Sequence, residues 1–335
     1  MWRASSASPR TPRHEHRRPR RRGEDAGDHR EPRPRLRPTA NLGPGFDTLG
    51  LALSIYDELE VTAVAEPGVI VEVHGVGEGE VPTDETNLVA RSIAHVFADQ
   101  GQTLPGLRLV ARNGIPHGRG MGSSGAAIVA GVMAAKGLLE GVVDLDSRTL
   151  LRLATELEGH PDNVAPALFG GLTIAWTSED GPEFKKLSVH RGVSPLVAVP
   201  EQITMSTALA RSLQPQSVPH QDAIFNVSRS ALLIAALIQS PELLHAATED
   251  RLHQSYRASA MPETDALIRV LRENGLAAVV SGAGPSILVL GSDPAQRLVA
   301  AELIERHAST TWRPLMLAVD FRGATVGPLP VAAVA

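Results

Sequence analysis

Residues 117–127, HGRGMGSSGAA, combine the residue types that hold a phosphate. Gly118, Gly120, Gly122 and Gly125 allow positive φ and a close backbone approach to a ligand. Ser123 and Ser124 can cap the following helix and offer hydroxyls to a phosphate oxygen or a metal ion. A helix start adds unpaired N–H groups and the positive end of its dipole, both of which favour an anion. Taken alone, the stretch reads equally well as a loop and capped helix without a ligand. Two nucleotide motifs are excluded: no lysine completes a P-loop, and Glu140 follows a helix rather than the second strand of a dinucleotide unit. A second polar group follows in Glu158, His160, Asp162 and Asn163, four such side chains in six residues bounded by Gly159, Pro161 and Pro166. A third is the pair Thr207 and Arg211, four residues apart and so on one face of a helix.

These groups need elements to position them. Alternation predicts strands over 56–64 and 68–74, and a short strand over 107–111 leading to the glycine-rich turn. Apolar spacing predicts helices over 87–100 and across the alanine-rich segment 128–139. Another is predicted over 147–157, capped by Asp146 or Ser147. A strand is expected at 172–177 and an apolar one at 194–200, with a domain boundary just before it. Helices over 204–213, 222–238, 263–274 and 294–307 then alternate with strands 277–281, 286–290 and 312–319. This predicts an α+β sandwich with helices on one face of an antiparallel sheet. No repeat of 20–50 residues is present.

Composition narrows the function classes. The chain has 335 residues with 43% hydrophobic content, enough for two domains or one large one. Without cysteine, disulfides, thiolate metal sites and cysteine nucleophiles are excluded. No unbroken apolar run approaches the roughly 18 residues of a membrane span, 231–238 being the longest candidate, and no membrane partner is expected. Residues 1–37 hold twelve arginines and five acids, a balance of +7, so the remainder carries -12 to give the net -5. The basic run 17–23 admits a nucleic-acid reading, but no aromatic after Trp2 is available there to stack a base. A disordered extension is the expectation, with no nucleic-acid partner and no secretory signal.

Five stretches in order, NLGPGFDTLG (41–50), GRGMGSSGAA (118–127), EGHPDNVAPALFGGL (158–172), STALARSL (206–213) and SGAGPSILVL (281–290), resemble the GHMP kinases, and among them the branch acting on homoserine. The resemblance implies a two-domain α+β fold. Its first domain would carry a left-handed βαβ-type phosphate loop (38–192), and its second would be a ferredoxin-like sandwich (193–325), with tails at 1–37 and 326–335. It implies transfer of a phosphoryl group from ATP, with Mg2+, to the side-chain hydroxyl of L-homoserine in threonine biosynthesis. A cytoplasmic location follows, and a homodimer is left open. By motif, Pro116, His117, Gly118, Arg119, Gly120, Met121, Gly122, Ser123 and Ser124 would hold ATP. Ser124 and Glu158, with Glu156 as second choice, would hold the metal. Asn41, Asp47, His160, Asn163, Thr207, Arg211, Arg257 and Gly282 would bind the amino acid. In that set Asp47 fits an ammonium, and Arg211 and Arg257 fit a carboxylate. Asn163, Ser124 and Glu158 would be the catalytic set. Because asparagine cannot take a proton and Asp162 is expected to point elsewhere, catalysis would rest on alignment and charge stabilisation.

The lead-in PRPRLRPTAN departs from the family's alternating first strand. Pro32, Pro34 and Pro38 remove ladder donors, so that strand should be compromised or absent, as a misread segment before about residue 39 would explain. The alternatives are another small-molecule kinase of the same family and a nucleic-acid or phosphate-binding module.

Overall fold

The computed structural model describes residues 35–36 and 39–327; the arginine-rich segment 1–34 and residues 328–335 lie outside the described residues. Twelve strands among them form three four-stranded sheets. In the first, β1 (Arg35–Leu36), β4 (Asp57–Val64), β6 (Gly106–Asn113) and β5 (Val69–Gly75) lie side by side in that order. β5 and β6 are parallel and are joined through helix α1 (Leu88–Asp99), because parallel neighbours require a crossover. The second sheet orders β2 (Thr39–Asn41), β3 (Leu49–Ala52), β7 (Leu172–Ser178) and β8 (Gly181–Leu187) as antiparallel neighbours. Helices α2 (Ser123–Leu138), α3 (Ser147–Glu158) and α4 (Pro161–Phe169) share one apolar core with the first sheet, in which Leu109, Ile128, Val129, Leu153 and Val164 are buried.

The third sheet, β10 (Ala278–Val280), β11 (Ile287–Gly291), β9 (Ser194–Pro200) and β12 (Trp312–Met316), is antiparallel throughout. Numbered by chain position its order is 2-3-1-4, the ferredoxin-like arrangement. The expected one-faced sandwich needs correction, because both faces are covered. Leu196, Ala198 and Val289 pack with α9 (Pro262–Glu273) and α10 (Ala295–His307). Val197, Val199 and Leu288 pack with α6 (His220–Ile238), α7 (Leu244–Ala247), Leu49 and Leu51 from the second sheet, and Leu42 just after β2. Every residue of β9 is buried, which explains why SPLVAVP is a continuous apolar run instead of an alternating one.

Several elements differ from expectation. α2 begins five residues before the alanine-rich segment. Its N-cap is Gly122 at φ 67, with no side-chain cap bond, so Ser123 and Ser124 open the helix instead of capping it. α4 lies in the proline-bounded polar cluster, to which the sequence assigns no element. Pro161 occupies its first turn, where proline is tolerated, and Pro166 removes the N–H that would otherwise bond Asp162 four residues earlier. β3 takes advantage of that gap: a Cβ on Gly50 would strike the Asp162 carbonyl and come within 2.5 Å of Pro166 Cγ. The compromised first strand is present as two short pieces, β1 on β4 and β2 on β3, in different sheets. α6 has the length of a membrane span and a mean hydropathy of 1.2, although polar residues break its apolar run. It packs Leu233, Ala236 and Leu237 into the core, and its Ser230 donates to the Pro44 carbonyl at 2.6 Å.

α1 and α2 cross at a glycine. A Cβ on Gly131 would overlap Ser92 Cβ and lie 2.5 Å from the Val89 carbonyl oxygen. Gly131→Ala should therefore lose about 1–3 kcal/mol through overpacking despite alanine's better helix propensity, as read by urea unfolding.

Candidate active site

α2 presents its first turn to two cavities that share Ser123 and Ser124 in their walls. The apolar one, about 230 Å³, lies between α1, β4, β5 and β6, with Leu59, Val71, Leu88 and Leu109 among its lining and His117 at its rim. The polar one, about 210 Å³, is lined by Phe46, Asp47, Glu158, His160, Asn163 and Arg211, with glycines 118, 120, 122 and 282 closing it. A larger cavity of about 890 Å³ lies at the far end of α2, around Lys136–Leu138 and Val326, and contains none of these groups.

Between the two cavities the chain forms a concave backbone. Gly118, Gly120 and Gly122 all have positive φ, at 61, 71 and 67°. Alternation of this kind turns successive N–H groups toward one centre, as in anion-binding nests, and the first N–H groups of α2 join them. Packing constrains Gly120 and, more loosely, Gly125. A Cβ on Gly120 would collide with the Ser281 carbonyl and come 2.7 Å from Gly284 N. One on Gly125 would sit 3.3 Å from Asn163 Cβ and 3.6 Å from Val164 Cγ1, so the α4 side chains pack directly on the α2 backbone.

Ser124 Oγ donates to Glu158 Oε2 at 2.9 Å. Burial pushes the Glu158 carboxyl above its ordinary range, opposed by that hydrogen bond. Glu156, the second choice, faces another way: it accepts from Arg152 at 2.6 Å and pairs with His95 at 3.0 Å on the surface. Two hard oxygens, Ser124 Oγ and Glu158 Oε2, at the head of the nest fit Mg2+, which is held by one or two protein oxygens together with phosphates and water. Among the described residues no group of three or more His, Asp or Glu could hold a metal by itself.

Across the polar cavity, Arg211 Nη2 lies 3.4 Å from Asp47 Oδ1. Asp47 has φ 59, the one non-glycine residue with positive φ among those described, a conformation worth noting at a site. Burial raises its carboxyl and Arg211 opposes that shift. His160 Nδ1 is hydrogen-bonded to Asp162 Oδ1, which raises the imidazole above its ordinary range. Asp162 was expected to point elsewhere. Its side chain is instead fully buried beneath the cavity and reaches it through His160, while Oδ2 has no partner.

Four expected residues stand differently. Arg257 is 1% exposed and does not line the cavity. Its guanidinium stacks 4.0 Å over Phe46 and bonds the Gln214 amide oxygen at 2.6 and 2.9 Å, so Phe46 separates it from the cavity. Arg119 turns away to backbone carbonyls of β9 and the residue after it. Met121 is buried in the second core, and Pro116 is buried outside both cavity linings. Gly282 does reach the polar cavity. Asn41 ends β2 and Thr207 begins α5 (Thr207–Ser212). Sequence reasoning missed Phe46, which sits inside the quoted NLGPGFD stretch and stacks on His253 at 4.8 Å, and the cavity-lining Met205 and Ser206.

Comparison with known proteins identifies the family. The GHMP kinases N terminal domain matches residues 87–171, and the GHMP kinases C terminal domain matches residues 233–309. The chain is 76% identical over 288 residues to a homoserine kinase of Leifsonia xyli, covering 86% of this chain and 89% of that protein. The chain belongs to the GHMP kinase family, in its homoserine kinase branch. A homoserine kinase of Clavibacter michiganensis is 73% identical over the same length, covering 91% of that protein. The crystal structure of homoserine kinase from Cytophaga hutchinsonii superposes with a TM-score of 0.77 at 26% identity, over 88% of this chain and 96% of that one. L. major mevalonate kinase shares the fold, with a TM-score of 0.66 at 18% identity over 87% of this chain and 96% of that one. As a GHMP kinase of this branch, the protein is an ATP-dependent phosphotransferase acting on an alcohol.

One buried acid lies outside the catalytic chemistry. Asp57 accepts from Gly114 N at 2.7 Å and Ile115 N at 2.9 Å, ahead of the glycine-rich turn, and burial pushes it from 3.8 to about 6. The folded value lies above the unfolded one, so folding takes up a proton in that window. The resulting stabilisation is complete below about pH 4 and is lost as pH rises through about 6. Asp57→Asn, whose amide oxygen can accept both N–H groups, should flatten the dependence of thermal midpoint on pH between about 4 and 7. A mutant profile parallel to the wild type would refute this.

Proposed function

We propose that the protein transfers the γ-phosphoryl group of ATP to the side-chain hydroxyl of L-homoserine, giving O-phospho-L-homoserine in threonine biosynthesis in the cytoplasm. The observation that carries this reading is the facing pair Asp47 and Arg211, 3.4 Å apart on the wall of a cavity of about 210 Å³, next to a backbone nest at a helix start. A small zwitterion presents one ammonium and one carboxylate, and these two side chains are the matching partners. Mevalonate-type substrates carry a carboxylate without an ammonium and would leave Asp47 facing no cation but Arg211, so the pair favours an amino acid. The homoserine kinase names of relatives at 73–76% identity support the same substrate.

In this reading the nest at 118–122 and the first turn of α2 hold the phosphates, and the apolar cavity takes the base. Ser124 and Glu158 hold Mg2+, which when bound neutralises charge on the phosphates. Asn163 lines the cavity as a hydrogen-bonding group and cannot accept a proton. His160 already donates Nδ1–H to Asp162, and the carboxylate beside it favours the protonated ring, a donor and not a base. The chain's own contribution is therefore alignment of the hydroxyl with the phosphorus and fixed positive potential around it, which suits a loose phosphoryl-transfer transition state.

Purified protein with ATP and Mg2+ should release ADP in proportion to added L-homoserine, and Asp47→Ala should abolish most of that release; folded protein with no homoserine-dependent ADP would defeat the assignment. Glu158→Gln should lower kcat by about 100-fold or more, in the range typical of a lost charge-stabilising group. Glu156→Gln should stay within about threefold of wild type, as expected for an exposed pair. If Asp162→Asn removed turnover while Asn163→Ala left it intact, the alignment mechanism would give way to a His160–Asp162 base.

A further inference from the structure

Arg119 is the charged side chain of the glycine-rich loop 118–122, and its charge is directed away from the cavity. Its Nε donates to the Pro200 carbonyl at 2.9 Å and its Nη2 to the Glu201 carbonyl at 2.8 Å. Its own carbonyl accepts from Ser286 N at 3.3 Å, and the neighbouring Gly118 carbonyl accepts from Met205 N at 3.2 Å. Residues 118 and 119 therefore hold both ends of one irregular segment, 201–206.

That segment runs from the end of β9 to α5. It brings Met205 and Ser206 to the cavity wall and leads to Arg211. α5 has six residues, too few to be stable without tertiary support, so its position depends on the tethers at its start together with Ala210, buried in the core against the third sheet. Ser206 caps it by accepting from Leu209 N at 3.1 Å, which joins the cap rigidly to the segment that Arg119 grips.

We propose that Arg119 is a positioning residue that couples the two ligands. One face of residues 118–122 takes the nucleotide phosphates, the other holds the strap that carries Arg211, and filling either side steadies the other. The inference rests on the functional reading above for the identity of the ligands. Linkage then requires reciprocity: nucleotide tightens the amino acid by the same factor as the amino acid tightens nucleotide. Lysine could reach one of the two carbonyls, but lacks the planar fork that bridges both.

The test is calorimetric titration of the full chain with L-homoserine in the presence and absence of a non-hydrolysable ATP analogue and Mg2+. Wild type should show the homoserine Kd falling about tenfold with nucleotide, within the usual range of coupling between sites. Arg119→Met should bring that ratio to about one and Arg119→Lys to an intermediate value. Hydrogen exchange of the ligand-free proteins provides a second readout: amides of 201–213 should exchange faster in Arg119→Met than in wild type, with α2 and the third sheet unchanged. An unchanged ratio in Arg119→Met, or unchanged exchange across 201–213, overturns the coupling. Wild type that binds both ligands with a ratio near one overturns it while leaving the functional reading intact. Wild type that binds neither ligand overturns both.

Discussion

The active-site region depends on backbone meeting backbone where side chains would ordinarily intervene. Gly120 lies against the backbone of the 281–284 turn, while Gly125 lets the Asn163 and Val164 side chains of α4 and the Glu158 carboxylate come up to α2. A single Cβ at Gly120 would collide with backbone that has no room to move. Because the contacts are so short, the unpaired N–H groups that begin α2, the Ser124–Glu158 pair and the glycine turn before β11 all converge on one small volume. The anion site is thus a consequence of packing as much as of polar residue type.

Charge is arranged around that volume with little redundancy. Glu158, Asp47 and the fully buried Asp162 are three acids within one site, and two are raised by burial. Arg211 and His160 supply the local compensation, through the ion pair to Asp47 and the hydrogen bond to Asp162. A site of this kind is poised to receive cationic and anionic ligand groups in fixed places, since each buried carboxylate is costly without a partner. The second arginine expected at the cavity, Arg257, instead braces Phe46 from behind, and the wall gains stiffness rather than another charge.

The third sheet explains how the glycine-rich loop and the segment before α5 are joined. β9 is covered on both faces, so its end at Pro200 is a fixed point from which the segment to α5 departs. The glycine-rich loop grips that segment through Arg119 and Gly118. In the proposed reading, the loop that would hold the phosphates and the segment leading to Arg211 are joined directly, although about eighty residues separate them in sequence.

The sequence by itself determined the elements with strong local signals and the identity of the family. α1 and α3 stand within one residue of the spans that apolar spacing predicts, and Asp146, one of the two caps offered for α3, accepts from Thr149 N. β9 and its apolar run coincide with expectation because burial on both faces leaves a mark on every residue. The five motifs named the family because glycines and polar groups at fixed spacing record a site even without its geometry. What only the tertiary structure decided were matters of direction. Glu158 rather than Glu156 meets Ser124, since the end of α3 rotates two residues by about 200° relative to each other. Asp162 turns under the site instead of away from it, because Pro161 and Pro166 begin and shape a helix where the sequence shows only a proline-bounded polar cluster. Arg119 and Arg257 look like ligand-binding cations in sequence but are held by backbone carbonyls, an aromatic ring and an amide from distant segments. A side chain's type is local information, whereas its partner is set by which remote backbone passes within about 3 Å.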